Sequence, residues 1–243
     1  AMLENLFTAK TRVVALNNPL NPAAIVYGEE DLALLAEYCA RFDAVAVCDE
    51  DWEEVVFDGR THRPLMTLPG MADRCVKIGS AGKMFGLTGW KVGFVAAAPE
   101  LTRAVVKAHQ FLCFTTPPNL QVAVAHGLDH PGDWFPTMRS SLERSRDRLT
   151  GALQTEGFKV IPSEGTYFLN IDLPASGIDL PDHEFALRAV KEHGVATIPV
   201  SAFYETDKVT SVLRLCFSKK DETLDEGVRR LAAARRAISR IGA

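Results

Sequence analysis

The chain has 243 residues, 47% of them hydrophobic and 24% charged, which is ordinary globular composition with enough apolar content for one large or two modest domains. A formal net charge of -4 and a pI near 5.9 give no electrostatic footing for nucleic acid or an anionic membrane, and no run reaches the length of an uncharged spanning helix. Five cysteines, Cys39, Cys48, Cys75, Cys113 and Cys216, are scattered and free of C-x-x-C spacing, the pattern of reduced thiols in a cytoplasmic protein.

In chain order, Arg12–Leu16 is a short apolar run that reads as a strand, ended by Asn17-Asn-Pro-Leu-Asn-Pro22, whose asparagines and prolines mark a turn. Asn21 reads as a turn residue, in a loop at a strand end where α/β sheets place ligands. Glu29–Arg41 has acids in its first turn and Leu32, Leu35, Ala36 and Cys39 at helical spacing, so it predicts a helix covering a sheet. A strand over Ala44–Cys48 completes a βαβ unit and puts Asp49 at the strand's carboxyl end, where a lone acid serves either as a helix cap or as the wall of a ligand crevice. Trp52 reads as core or interface packing.

Cys75–Ile78 and Val92–Ala97 are strand-like and enclose a loop broken by Gly79, Gly82, Gly86 and Gly89, with Lys83 inside it. A lysine fixed beside a bound carbonyl can form an imine when burial or neighbouring cations expose its lone pair, and Lys77 and Lys91 are the cations in reach. The hydroxyl of Ser80 and the charge of Lys91 suit an anionic oxygen. The bland alternative is a solvated loop lysine. A nucleotide P-loop is excluded because Lys77 and Met84 stand where a glycine and a Ser/Thr are required. Ser80-Ala-Gly-Lys83 also matches the S-x-x-K of penicillin-recognising acyl enzymes, but no S-D-N or K-T-G partner is present and the glycines argue against a helical setting. The loop predicts no helix, so its flanking strands are expected to pair antiparallel and make the sheet mixed.

Pro99–Phe111 predicts a helix, which Thr115-Thr-Pro-Pro-Asn119 breaks. His126 and His130 have helical metal-ligand spacing, but no Glu follows His126 and Pro131-Gly132 ends the segment, so no metal is assigned there. Arg139–Leu153 reads as a basic amphipathic helix bridging to a second domain, with boundaries set at 1–134 and 135–243. Strands follow at Lys159–Ile161, Tyr167–Ile171, Val195–Pro199 and Ser211–Phe217, and helices near Asp182–His193, which Gly194 terminates, and Asp221–Ile238. In Val212-Leu-Arg-Leu-Cys-Phe217 alternation puts Arg214 on the face of Val212 and Cys216, and an inward arginine calls for an anionic partner, by default a structural carboxylate.

Ser80-Ala-Gly-Lys83-Met-Phe-Gly-Leu-Thr-Gly-Trp-Lys91-Val-Gly resembles the lysine loop of the class I and II aminotransferases that use pyridoxal phosphate, with the kynurenine, glutamine and methionine branch nearest in pattern. Asn17-Asn-Pro-Leu-Asn-Pro22, Cys48-Asp-Glu-Asp-Trp-Glu53, Leu68-Pro-Gly-Met71, Gly165-Thr-Tyr-Phe168, Pro199-Val-Ser-Ala-Phe-Tyr204 and Leu213-Arg-Leu-Cys-Phe-Ser218 follow in the family's order. The resemblance implies an α/β fold of type I, the later part of the cofactor-binding large domain followed by the small C-terminal domain. It implies that Lys83 is covalent anchor and general acid/base, that Asp49 pairs with the pyridine nitrogen, and that Ser80 and Lys91 serve the phosphate. Asn21 would touch the cofactor ring oxygen and the substrate carboxylate, and Arg214 would grip that carboxylate with its planar fork. Trp52 stands where the family has a tyrosine, and Ala23-Ala24 where it has Thr-Gly; an indole donates one hydrogen bond and accepts none.

The implied reaction is transamination between an amino acid and a 2-keto acid by a cytoplasmic homodimer. Family members carry a further N-terminal portion, so the chain is expected to be the C-terminal part of such an enzyme. A cysteine-conjugate β-lyase, an inactive fragment and the sensor domain of a regulator of aminotransferase descent are the alternatives, the last without a basic winged-helix module in this sequence.

Overall fold

The structure, a computed structural model, describes residues 3–206 and 208–239. It divides into two compact units: residues up to Leu20 with Ile25–Thr137, and Asn21–Ala24 with the residues from Met138 onward.

The first unit is built on a four-stranded sheet. Strands β1 (Val13–Asn17), β2 (Val45–Asp49) and β3 (Cys75–Ser80) run parallel, and β4 (Gly93–Ala97) is antiparallel to β3, giving the order β1-β2-β3-β4. Helix α1 (Glu29–Arg41) is the β1-to-β2 crossover and buries Leu32, Leu35, Ala36 and Cys39, the residues its periodicity singles out, against Leu16, Ala46, Cys48 and Cys75 of the sheet. Asp31 Oδ2 accepts the Gly28 N–H at 3.2 Å and closes the helix start. Residues Asn17, Asp49 and Ile78 are register partners across the three parallel strands, so the carboxyl ends of β1 and β2 finish level.

The antiparallel pairing of β3 and β4 is as expected, but the connection between them is not helix-free. One α-helical turn, α2 (Ala81–Met84), carries Lys83, and a 3-10 turn spans Thr88–Trp90. Four residues make too short a nucleus to register as periodicity, and the turn owes its existence to packing: Ala81 and Met84 are buried, with Ala81 clustered against Val92 and Val124. Helices α3 (Pro99–Leu112) and α4 (Pro118–Asp129) follow. The sequence reading assigns no element to α4; the Pro117-Pro118 pair that breaks the preceding segment also starts this helix, Pro118 standing at its first turn.

Gly79 shows why the lysine loop is glycine-rich. Its register partner on β4 is Phe94, whose ring lies so close that a Cβ on residue 79 would sit 2.3 Å from it. We expect Gly79→Ala to displace Phe94 and cost about 1–3 kcal/mol, read as a lower urea midpoint with an unchanged slope.

Helix α5 (Trp134–Thr155) begins in the first unit and continues into the second, starting earlier than its basic stretch suggests because Trp134 and Phe135 pack on Phe85 and the Trp134 indole donates to the Met84 carbonyl at 2.8 Å. In the second unit β5 (Lys159–Ile161), β6 (Phe168–Asp172), β7 (Ile198–Pro199) and β8 (Val212–Cys216) form an antiparallel sheet of order β5-β6-β8-β7. Leu169, Ile171, Leu213, Leu215 and Phe217 line its buried face, joined by Phe185 and Ala189 of α6 (Asp182–His193) and by Leu224, Leu231 and Ala234 of α7 (Asp221–Ser239). Gly194 ends α6 in the left-handed conformation, at φ 66°. Asn21–Ala24 belongs here because the Ala24 carbonyl accepts the Glu164 N–H at 2.7 Å and the Pro22 carbonyl accepts Asn170 Nδ2 at 2.9 Å.

Candidate active site

The candidate residues of the first unit gather at the carboxyl end of β2 and along the β3–β4 connection. Asp49 closes β2; its carbonyl accepts the Asn18 N–H and the Asn17 side-chain amide, both at 3.0 Å, so the backbone is fixed while the carboxylate is exposed. That carboxylate also accepts the Asp51 N–H at 3.3 Å, so Asp49 closes a turn rather than capping a helix. The Asp51 carboxyl is also hydrogen-bonded to this side chain, which stays exposed.

Trp52, on the same turn, is only 3% exposed, and the Lys83 ammonium lies 4.9 Å above its ring. Trp52 is therefore both a packed residue and one wall of the lysine's surroundings. Lys83 itself is half-buried. Asp51, which sequence reasoning passed over, reports on the local field: burial, then the charge of Asp49, push its carboxyl up to about 6, while Lys83 pulls the other way. Asp49, Asp51 and Lys83 thus share one electrostatic neighbourhood. The acid-dense run Asp49-Glu-Asp51-Trp-Glu53 directly after a strand was the available signal.

The sign of that shift gives a pH prediction. Because Asp51 holds its proton more tightly folded than unfolded, its contribution to stability is present at acid pH and is lost as pH rises from about 4 through about 6. Asp51→Asn is expected to raise the melting temperature at pH 7.5 and to leave it unchanged near pH 4. Equal shifts at both pH values would refute the assignment.

Ser80 ends β3 and takes the N-cap position of α2, yet its hydroxyl makes no capping bond. Lys91 is exposed, in a left-handed conformation at φ 57°, two residues before Gly93, the ladder partner of Ser80. Lys77 is not a cation offered to Lys83: it forms an ion pair with Glu53 and lies 5.7 Å from the Phe94 ring, because strand alternation turns it to the face opposite Ser80. A half-buried amine, an exposed carboxylate and a hydroxyl that makes no capping bond answer the carbonyl, ring nitrogen and phosphate of pyridoxal phosphate, so this donor set fits that group.

In the second unit Arg214 is paired in register with Asn170 of β6 and Ile198 of β7, on the face of β8 opposite Leu213 and Leu215. Its guanidinium lies 4.0 Å over the Phe168 ring and 5.0 Å from that of Phe203, and Nη1 donates to Asn21 Oδ1 at 2.6 Å. The expected structural carboxylate is not there: among the described residues no ion pair involves Arg214. Two aromatic rings and an amide oxygen hold it instead, burial pulls its pKa below the usual guanidinium value, and Nε is buried with no hydrogen-bond partner. Phe168 is the platform on which this arginine lies.

The family model described as "Aminotransferase class I and II" matches residues 1–231. Among curated relatives, the probable N-succinyldiaminopimelate aminotransferase DapC of Mycobacterium tuberculosis is 39% identical over 239 residues, covering 95% of this chain and 60% of that protein. Human kynurenine–oxoglutarate transaminase 3 is 34% identical over 241 residues, covering 92% of this chain and 53% of its own length. The chain therefore spans roughly half to three-fifths of the curated relatives it matches. Of solved structures, the Mycobacterium tuberculosis N-succinyldiaminopimelate aminotransferase superposes with a TM-score of 0.92 at 40% identity, covering 96% of this chain and 60% of that one. Escherichia coli YbdL, described with a methionine aminotransferase function, superposes with a TM-score of 0.90 at 34% identity, again covering 96% of this chain and 60% of its own. With the matched region spanning both units, the chain belongs to the class I and II aminotransferases, a family that uses pyridoxal phosphate.

Proposed function

We propose that the protein carrying this chain transfers an amino group between an amino acid and a 2-keto acid, with Lys83 as its acid/base residue. The observation that carries this reading is the Lys83 amine, half-buried on the Trp52 ring within the field of Asp49 and Asp51, in a chain whose family match runs almost end to end. When bound, pyridoxal phosphate supplies a sink for the electrons left on the substrate Cα after proton loss.

Lys83 is placed on a one-turn helix whose packing limits its reach, and it takes the proton from Cα and later returns one. Asp49, its backbone held by Asn17 and Asn18, would hold the cofactor's ring nitrogen and keep it protonated. Trp52 packs under the amine, and its indole offers a donor where a tyrosine would both donate and accept. Ser80 and Lys91 would hold the cofactor's phosphate. In the second unit Asn21 and Arg214 receive the substrate's α-carboxylate, the guanidinium already oriented by its aromatic stack.

A homodimer in the cytoplasm belongs to the same reading. Supporting it are the exposed Phe111, Leu112 and Phe114 at the end of α3, an apolar cluster that a second subunit would cover, and five free cysteines. No described helix is long and apolar enough to cross a membrane. The test is an amino-donor panel that includes the donors the relatives are named for (N-succinyldiaminopimelate, kynurenine and methionine), with 2-oxoglutarate as acceptor and glutamate as readout. Glutamate formed in proportion to donor supports transamination; pyruvate and ammonia from cysteine conjugates, without glutamate, would replace it with β-elimination.

A further inference from the structure

Beneath the turn that carries Asp49 and Trp52, the first unit buries a group of side chains that the proposed reaction does not use. Glu50 and His62 have side chains 1% and 5% exposed, and one donor atom each from Glu50, Glu53 and His62 lie within 4.8 Å of one another. Glu50 Oε2, Glu53 Oε1 and both ring nitrogens of His62 are buried and have no hydrogen-bond partner. Four such atoms in one place are costly, and native proteins satisfy nearly all of them.

One pair in this group is spaced like ligands around a common centre rather than like donor and acceptor. His62 Nε2 is 3.3 Å from Glu50 Oε2, yet no hydrogen bond links them. Two atoms at that separation, each about 2.1 Å from an ion, subtend about 104° at it, close to the tetrahedral angle. Each carboxylate also has its other oxygen anchored. Glu50 Oε1 accepts the Leu65 N–H at 3.1 Å, and Glu53 Oε2 takes the Lys77 ammonium, leaving Oε2 of Glu50 and Oε1 of Glu53 for the centre. Metal-binding carboxylates are commonly oriented in this way by outer partners.

We propose that Glu50, Glu53 and His62 form a site for a divalent transition metal of the zinc class, a structural pin for the turn running from Asp49 to Glu53. One imidazole nitrogen and two carboxylate oxygens are a donor set suited to zinc, with water completing four-coordination. The proposal is independent of the aminotransferase reading, because it concerns a different set of side chains and needs no bound cofactor.

The experiment is a titration of the chelator-treated chain with Co2+ alone, followed by visible absorption, on a Cys113→Ser background that removes the exposed thiol. Expected are one equivalent of cobalt with the visible bands of a four-coordinate nitrogen and oxygen site, displaced by Zn2+, and a zinc-dependent rise in melting temperature. His62→Ala and Glu53→Gln should each weaken binding at least about thirtyfold. Glu50→Gln, which keeps an oxygen for the Leu65 N–H, should do the same, so that loss of binding is separable from loss of folding. No saturable binding would overturn the proposal and leave His62 as a proton-bearing partner of Glu50. Sulfur-to-cobalt absorption, or affinity indifferent to all three substitutions, would overturn it as adventitious thiol or surface binding.

Discussion

Lys83→Ala is expected to lower transamination by the protein carrying this chain about a thousandfold or more, since a positioned acid/base group alone contributes about 10²- to 10⁴-fold. The residue is singled out among three lysines of the same segment by what surrounds each. Lys77 is committed to Glu53, and Lys91 is exposed on a left-handed residue, whereas Lys83 is half-buried with its amine on the Trp52 ring. Borohydride reduction in the presence of pyridoxal phosphate should add one pyridoxyl mass to the peptide containing Lys83, and Lys83→Ala should lose that label. A label on Lys77 or Lys91 instead would overturn the assignment. Retained label with lost activity in Lys83→Ala would overturn it too, by separating the cofactor lysine from the acid/base. Lys83→Arg keeps the charge over the indole but cannot give up its proton, so it should be as inactive as the alanine variant.

Elements with strong local signals were legible in the sequence. Glu29–Arg41, Lys159–Ile161 and Asp182–His193 form with the expected bounds, because acids at the helix starts, a glycine after one of them and apolar periodicity all agree. The turn of helix under Lys83 was not legible, since Ala81 and Gly82 carry no amphipathic pattern: Ala81 is set by packing against Val92 and Val124, and Gly82 by the close approach of the Thr88 backbone. Strand alternation correctly placed Arg214 on the face of Cys216 but could not supply its partner. A guanidinium between Phe168 and Phe203 depends on residues far apart in the chain, and the same holds for Asn21, nearly two hundred positions before Arg214. Asp51 and His62 escaped for a related reason: neither belongs to a spacing motif, and each acquires its character from burial beside other charges.

Arg214→Leu should reduce kcat/KM for amino acids about a hundredfold, mostly through KM, if the guanidinium binds the substrate's α-carboxylate. Hydrogen bonds to charged groups contribute about 1.5–3 kcal/mol each, and a hundredfold loss corresponds to about 2.7 kcal/mol. The discriminating measurement is the preference for an amino acid over the amine that lacks its carboxylate: the native protein should show it strongly, and Arg214→Leu should show little. Arg214→Lys should recover only a small part, because an ammonium cannot present two parallel donors while lying flat on Phe168. Stability offers an independent check. A structural arginine would lose its partners and destabilise the fold on replacement, but this one has no carboxylate among the described residues, is disfavoured as a charge by burial, and carries a buried unpaired Nε. Leucine on the two rings removes that cost, so Arg214→Leu should unfold at an equal or higher urea concentration than the native chain. Activity lost with stability kept would place the guanidinium's purpose in a bound anion; stability lost in step with activity would return it to the role of a structural pin for Asn21.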